Sequence, residues 1–181
     1  MNLAHIHIVL NHVPSFGVVL GLLMLAWAIV TKNDALKKSS FGVLVLIALS
    51  TLPTYLSGNG ARLMIAKQPG VPLGIIEVHQ NAAMLTLIAM TVAGTFAWFG
   101  LWEIRRFSRA SSFITLGSLL TAVLAAGLIL YTGSIGGRIS HPEIREAADA
   151  AITQEAGWKT AIEEFLAKAW VIPAVATLHY I

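Results

Sequence analysis

The chain of 181 residues contains no cysteine. That excludes disulfides, iron–sulfur clusters, thiolate zinc sites and covalent haem attachment through a C-x-x-C-H motif. Any metal or cofactor must then be held by His, carboxylate, Met or Tyr. Charge is the second scarcity. Charged residues are 12% and hydrophobic ones 56% of the chain, where a soluble domain carries roughly 25% charge, and this balance places the chain in a membrane. The formal net charge of +3 would suggest nucleic acid in a soluble protein. Here the basic residues sit in short segments between apolar runs, where orientation in a bilayer explains them, and no nucleic-acid partner is expected. The N-terminus also lacks the basic stretch and small-residue cleavage site of a signal peptide, so the first apolar run is expected to stay in the mature protein.

Four runs approach or reach the ~20 apolar residues needed to cross the hydrocarbon core. They cover residues 13–31 (extendable back to Ile8), 41–56, 82–102 and 113–131. The second is short and contains Pro53, which predicts a kink that neighbouring groups must satisfy. The fold class expected is all-α, an integral membrane four-helix bundle over residues 1–141. Residues 142–181 form an amphipathic C-terminal extension on the outer side, with residues 142–168 carrying apolar positions at helical spacing and a short apolar end suited to docking on a partner.

Orientation follows from the connections. Lys32, Lys37 and Lys38 follow the first run, and Arg105, Arg106 and Arg109 follow the third, whereas the middle loop, read as residues 57–74, holds only Arg62 and Lys67. The positive-inside rule turns the first two connections to the cytoplasm. Both termini, the middle loop and all six histidines then face the periplasm, in a multi-pass protein of a bacterial inner membrane. Histidines near a bilayer are functional-site candidates because hydrocarbon makes an ionisable group costly unless something binds it.

Three of the six crowd the first helix: His5, His7 and His12. His79 opens the third span, His141 follows the fourth, and His179 lies near the C-terminus. The two halves form a weak internal repeat, each starting with a histidine (His12, His79) and leaving at a Tyr-and-Gly exit (Tyr55 to Gly58, Tyr131 to Gly133). In an up-down-up-down bundle the first and third helices occupy opposite corners. His12 and His79 would face each other there, as axial ligands of a haem b held edge-on between apolar walls. His7 with His141 is the second-choice pair, nearer the interface, for a second haem or a metal. Arg62 and Arg138 are candidates for haem propionates or a quinone head group, and as ordinary surface charges otherwise. Glu77 with His79, His12 and His141 would make a His/carboxylate set for non-haem iron or zinc. Two residues apart on one helix, however, Glu77 and His79 point about 200° from each other.

The run His7-Ile8-Val9-Leu10-Asn11-His12-Val13-Pro14 resembles the HPxxVHFP opening of the bacterial membrane proteins of domain-of-unknown-function family 2231. Ser57-Gly58, His79 with its flanks from Ile76 to Ala83, and Gly136-Gly137-Arg138 resemble further elements of that family. The likeness covers residues 5–145. It departs at Ile8, where the family has Pro, and in lacking the Tyr-x-His-Gly that follows the Gly-Gly pair, which bears on His141. The resemblance implies that His7, His12 and His79 belong to one motif set, and no settled activity comes with it.

The function expected is a b-type cytochrome subunit, with one or two haems, passing electrons between quinone or quinol and a periplasmic electron-transfer protein such as a c-type cytochrome. Its partners are membrane lipid and other subunits of a membrane complex, and it is an electron-transfer subunit rather than a stand-alone enzyme. The alternatives are a non-redox anchor or assembly subunit, and a His-based metal site or transporter.

Overall fold

The computed structural model describes residues 2–68 and 71–144. Four helices follow one another: α1 (Leu3–Val30), α2 (Asp34–Ile65), α3 (Leu73–Phe107) and α4 (Ser112–Ser140). No strand occurs among the described residues. All four are long and apolar enough to cross a membrane, and the chain is an all-α membrane bundle. At 1.5 Å per residue even α1, with 28 residues, is about 42 Å long, against roughly 30 Å of hydrocarbon.

The packing is that of a protein dissolved in lipid. Large side chains such as Phe16, Leu23, Trp27, Leu46, Leu49, Trp98, Phe113 and Leu120 point outward, while alanines at 89, 93, 97, 122, 125 and 126 fill the interior. Lipid tails are as apolar as leucine, so small residues that allow close backbone approach hold such helices together. A Cβ added at Gly17 would collide with Ile47 of α2, at Gly94 with Ala48, and at Gly117 with Phe96. These contacts join α1 to α2, α2 to α3 and α3 to α4 in turn. The buried hydroxyls at Ser40, Thr51, Thr115 and Ser118 donate to carbonyls three or four residues back in their own helices. Among the described residues no buried side-chain nitrogen or oxygen lacks a partner, as a medium without water demands.

Two connections are tight and basic. Asn33 caps α2 through the Leu36 N–H, and Asp34 pairs with Lys37 at 2.9 Å. Between α3 and α4 the Glu103 carboxylate accepts from the Ser111 N–H at 2.6 Å and its hydroxyl at 3.1 Å, and Ser108 ends α3 in the left-handed region. The middle connection is much shorter than residues 57–74, because α2 runs on to Ile65 and α3 begins at Leu73. Pro53 lies within a continuous α2, and Pro14 within a continuous α1.

The bundle is a tandem repeat. The buried face of α1, at Pro14, Val18, Gly21, Leu25 and Ala28, recurs 72 positions later in α3 as Thr86, Met90, Ala93, Ala97 and Gly100. Ser40, Leu44, Thr51 and Thr54 of α2 recur 78 positions later as Ser118, Ala122, Ile129 and Thr132 of α4. The starts of α2 and α4, Asp34 and Ser112, share that second displacement. The hairpins α1–α2 and α3–α4 are thus two copies of one unit, both entering from the histidine end. A second unit begins at Ser140; its described part, to Ile144, holds one helical turn. The amphipathic tail expected beyond it lies outside the described residues.

Candidate functional site

Within the repeat the residue that matches His79 is His7. Each half-buried imidazole leans across its own hairpin. His7 Nδ1 lies 3.1 Å from the Thr54 carbonyl of α2, and His79 Nδ1 lies 3.1 Å from the Thr132 carbonyl of α4. A carbonyl only accepts, so Nδ1 carries the proton in both rings, and in the neutral imidazole Nε2 keeps its lone pair. The ring edges rest on matched glycines: a Cβ at Gly58 or at Gly136 would stand 3.1 Å from the Cε1 of His7 or His79 respectively. Thr-x-x-x-Gly is therefore the recurring receptor for the imidazole, at Thr54 to Gly58 and Thr132 to Gly136. The signal stood in the sequence, but aligning the two exits on their tyrosines instead of their threonines hides it.

One turn farther in, each pair of helices is tied again by a threonine. Pro14 has no N–H to give the Leu10 carbonyl, and the Thr54 hydroxyl reaches that carbonyl at 3.4 Å while also bonding Ser50. In the second hairpin the hydroxyls of Thr86 and Thr132 meet at 2.8 Å. Such interhelical bonds are worth roughly 0.6–2 kcal/mol in a membrane.

His7 and His79 line one cleft of about 990 Å³, built by all four helices. The volume lies at the upper end of the roughly 300–1,000 Å³ of small-molecule sites, far more than a bare ion needs. Its walls are mostly apolar, with Val19, Leu20, Leu23, Ile129 and Leu130 among them, and Thr54, Thr86 and Thr132 at the back. Neither Nε2 has a hydrogen-bond partner among the described residues, yet no buried polar atom is orphaned, so both lone pairs are reached from the cleft.

His12 lines the same cleft from an exposed position. Its Nδ1 is 2.6 Å from the Ile8 carbonyl of its own helix, which fixes the same tautomer, and its ring stacks on Phe16 with centroids 6.0 Å apart. It does not occupy the position that mirrors His79. Five residues separate it from His7, about 140° around a helix of 3.6 residues per turn, so the two rings cannot share a face.

Arg62, Arg138 and Glu77 lie toward the same helix ends as His79. Arg62 donates to Gln80 Oε1 at 2.7 Å, and Gln80 donates on to Asn59 at 3.4 Å, bridging α2 and α3 beside His79. Arg138 sits in the last turn of α4 and is partly buried. Glu77 is exposed on α3, two residues before His79 within the helix, and among the described residues no three His, Asp or Glu side chains come together as a metal cage. In the second unit His141 Nδ1 lies 3.0 Å from the Glu143 carboxylate. That carboxyl is held below the usual range by its own backbone N–H and then by His141. His5 is exposed, and His179 lies outside the described residues. No family model, curated protein or solved structure matches the chain.

Proposed function

We propose that the protein is the haem b subunit of a membrane electron-transfer complex, with His7 and His79 as the axial pair. One observation carries this reading: two imidazoles from opposite corners of a membrane bundle, each with Nδ1–H committed to a threonine carbonyl, present free Nε2 lone pairs to one apolar cleft. Histidine ligands of metals are oriented in this way by a second hydrogen bond, which also raises their basicity. The donor set and the volume fit a porphyrin better than an isolated ion. The matched depth of the pair fits a plate held edge-on between the hairpins.

When bound, the haem supplies one-electron chemistry, and the protein supplies its setting. His7 and His79 hold the metal, Gly58 and Gly136 leave room for their rings, and the apolar walls keep water out. Arg62 and Arg138 stand at the same end as counter-charges for carboxylates. The basic connections at the opposite end support, by the positive-inside rule, a periplasmic side of a bacterial inner membrane for the histidine end. Electrons then pass between membrane quinol and a periplasmic carrier such as a c-type cytochrome.

The test is the absorption spectrum of protein purified from haem-replete membranes. A Soret band and a b-type pyridine haemochrome are expected, and both should vanish in His7→Ala and in His79→Ala. Their absence from the wild-type protein ends the haem reading in favour of a non-redox anchor or a metal site, which metal analysis separates. A low-spin spectrum surviving in either variant removes that residue from the axial pair.

A further inference from the structure

The repeat relates two long seams of the bundle, α2 against α3 and α4 against α1, and the two differ at the histidine end. At the histidine end of α2–α3, Gln80 bonds both Arg62 and Asn59. The matching positions in the other seam are Ile8 for Gln80 and Gly137 for Asn59, which cannot form that bridge. Gly94 lets α3 close onto Ala48, whereas its counterpart in α1 is the larger Leu22. Tyr55 of α2 is matched in α4 by Gly133, where an added Cβ would meet nothing within 4 Å. The cleft follows the α4–α1 seam. Its α1 and α4 lining includes Phe16, Leu20, Leu23 and Leu130, all more than half exposed on the lipid-facing surface.

We propose that the α4–α1 seam admits a membrane hydroquinone sideways from the lipid, and that His12 binds its reduced form in preference to the quinone. The apolar rim favours an occupant already dissolved in the bilayer. The polarity of His12 then selects the redox form. In the neutral ring, with the Nδ1 proton given to the Ile8 carbonyl, Nε2 accepts a hydrogen bond and has none to donate. A hydroquinone O–H satisfies it, whereas a quinone carbonyl would set lone pair against lone pair. Asn11, also in the lining, both donates and accepts and does not discriminate. This gives the quinol of the proposed function an entry route and a binding residue, and to that extent rests on that reading, while binding needs only His12 and the seam.

The test measures equilibrium binding of one short-chain hydroquinone, and of the same molecule oxidised, to the full chain in nanodiscs, with empty nanodiscs correcting for partition. The hydroquinone should bind about ten-fold more tightly, the value of one neutral hydrogen bond. His12→Phe should remove that preference, and His12→Gln, which can both donate and accept, should shrink it while leaving binding intact. Gly133→Phe should block both forms by filling the seam. Equal affinities in the wild-type protein, or a preference unchanged in His12→Phe and His12→Gln, overturns the proposal. The same titration of His79→Ala separates it from the haem reading. Preference kept in that variant supports His12 whatever the spectrum shows, and preference lost there assigns the selectivity to His79 and overturns it.

Discussion

The two hairpins share a plan and differ in how tightly each holds its histidine. In α1–α2 the Nδ1–H of His7 is shared between the Thr54 carbonyl and the Ser57 hydroxyl at 3.0 Å, and Ser57 donates to the same carbonyl. In α3–α4 the position of Ser57 is taken by Ile135, and His79 has the Thr132 carbonyl alone. The first hairpin carries a second cleft-lining imidazole, His12, where the second has Met84. It also contains Pro14, matched by Thr86, so a freed backbone carbonyl in one copy corresponds to a hydroxyl pair in the other. The repeated receptor thus has the same backbone geometry with different side chains, which gives the two imidazoles unequal surroundings.

The strongest way to break this comparison is to fill the ring receptors. Gly58→Leu and Gly136→Leu each place carbon where an imidazole edge lies. Haem retention on titration with a competing apoprotein should fall about 10- to 100-fold in both, as for loss of outer support to a ligand. A large loss in one alone would show that the hairpins contribute unequally. The threonines sharpen it next. Thr132→Val removes the hydroxyl that meets Thr86 and keeps the carbonyl that orients His79, so thermal unfolding in detergent should show about 1 kcal/mol of destabilisation with an unchanged haem spectrum. Thr54→Val, whose cross-helix contact is the long one at 3.4 Å, should cost less.

Ser57→Ala touches only the first hairpin and leaves the Thr54 carbonyl in place. A small shift of the redox midpoint in spectroelectrochemical titration, with haem content unchanged, is the expected outcome, and the Ile135→Ala control should leave the midpoint where it is. The smallest effect belongs to Gln80→Leu, which removes the exposed bridge to Arg62 and Asn59. Its cost in unfolding should stay below about 1 kcal/mol, as for exposed polar links. It should nevertheless loosen the α2–α3 seam, raising hydrogen exchange at its histidine end relative to the other seam.

Hydropathy was enough to find four spans, because a segment dissolved in hydrocarbon has no alternative to helix. It could not find the ends of α2 and α3 at the histidine end. There Asn59, Arg62 and Glu77 interrupt the apolar windows while the backbone continues as helix to Ile65 and from Leu73. The residue types of the site were equally legible: histidines at the start of α1 and α3, small residues at the exits of α2 and α4, and basic residues at the far connections.

Which histidine of α1 mirrors His79 was open until the helices were packed. Counting residues from the start of an apolar run favours His12, since it stands just before residues 13–31 as His79 stands just before residues 82–102. Side-chain direction, though, is set by the rotation of α1 against α2, and that rotation follows from Gly17 seating on Ile47 and Gly21 on Leu44. This packing turns His7 onto Thr54 and Gly58 and leaves His12 at the mouth of the cleft. Composition alone established a membrane bundle bearing histidines at one end, because burial of charge in lipid is a local cost that each segment meets separately. Division of those histidines into an inward pair and one at the rim is a property of contacts between helices some fifty residues apart, which only the packed bundle contains.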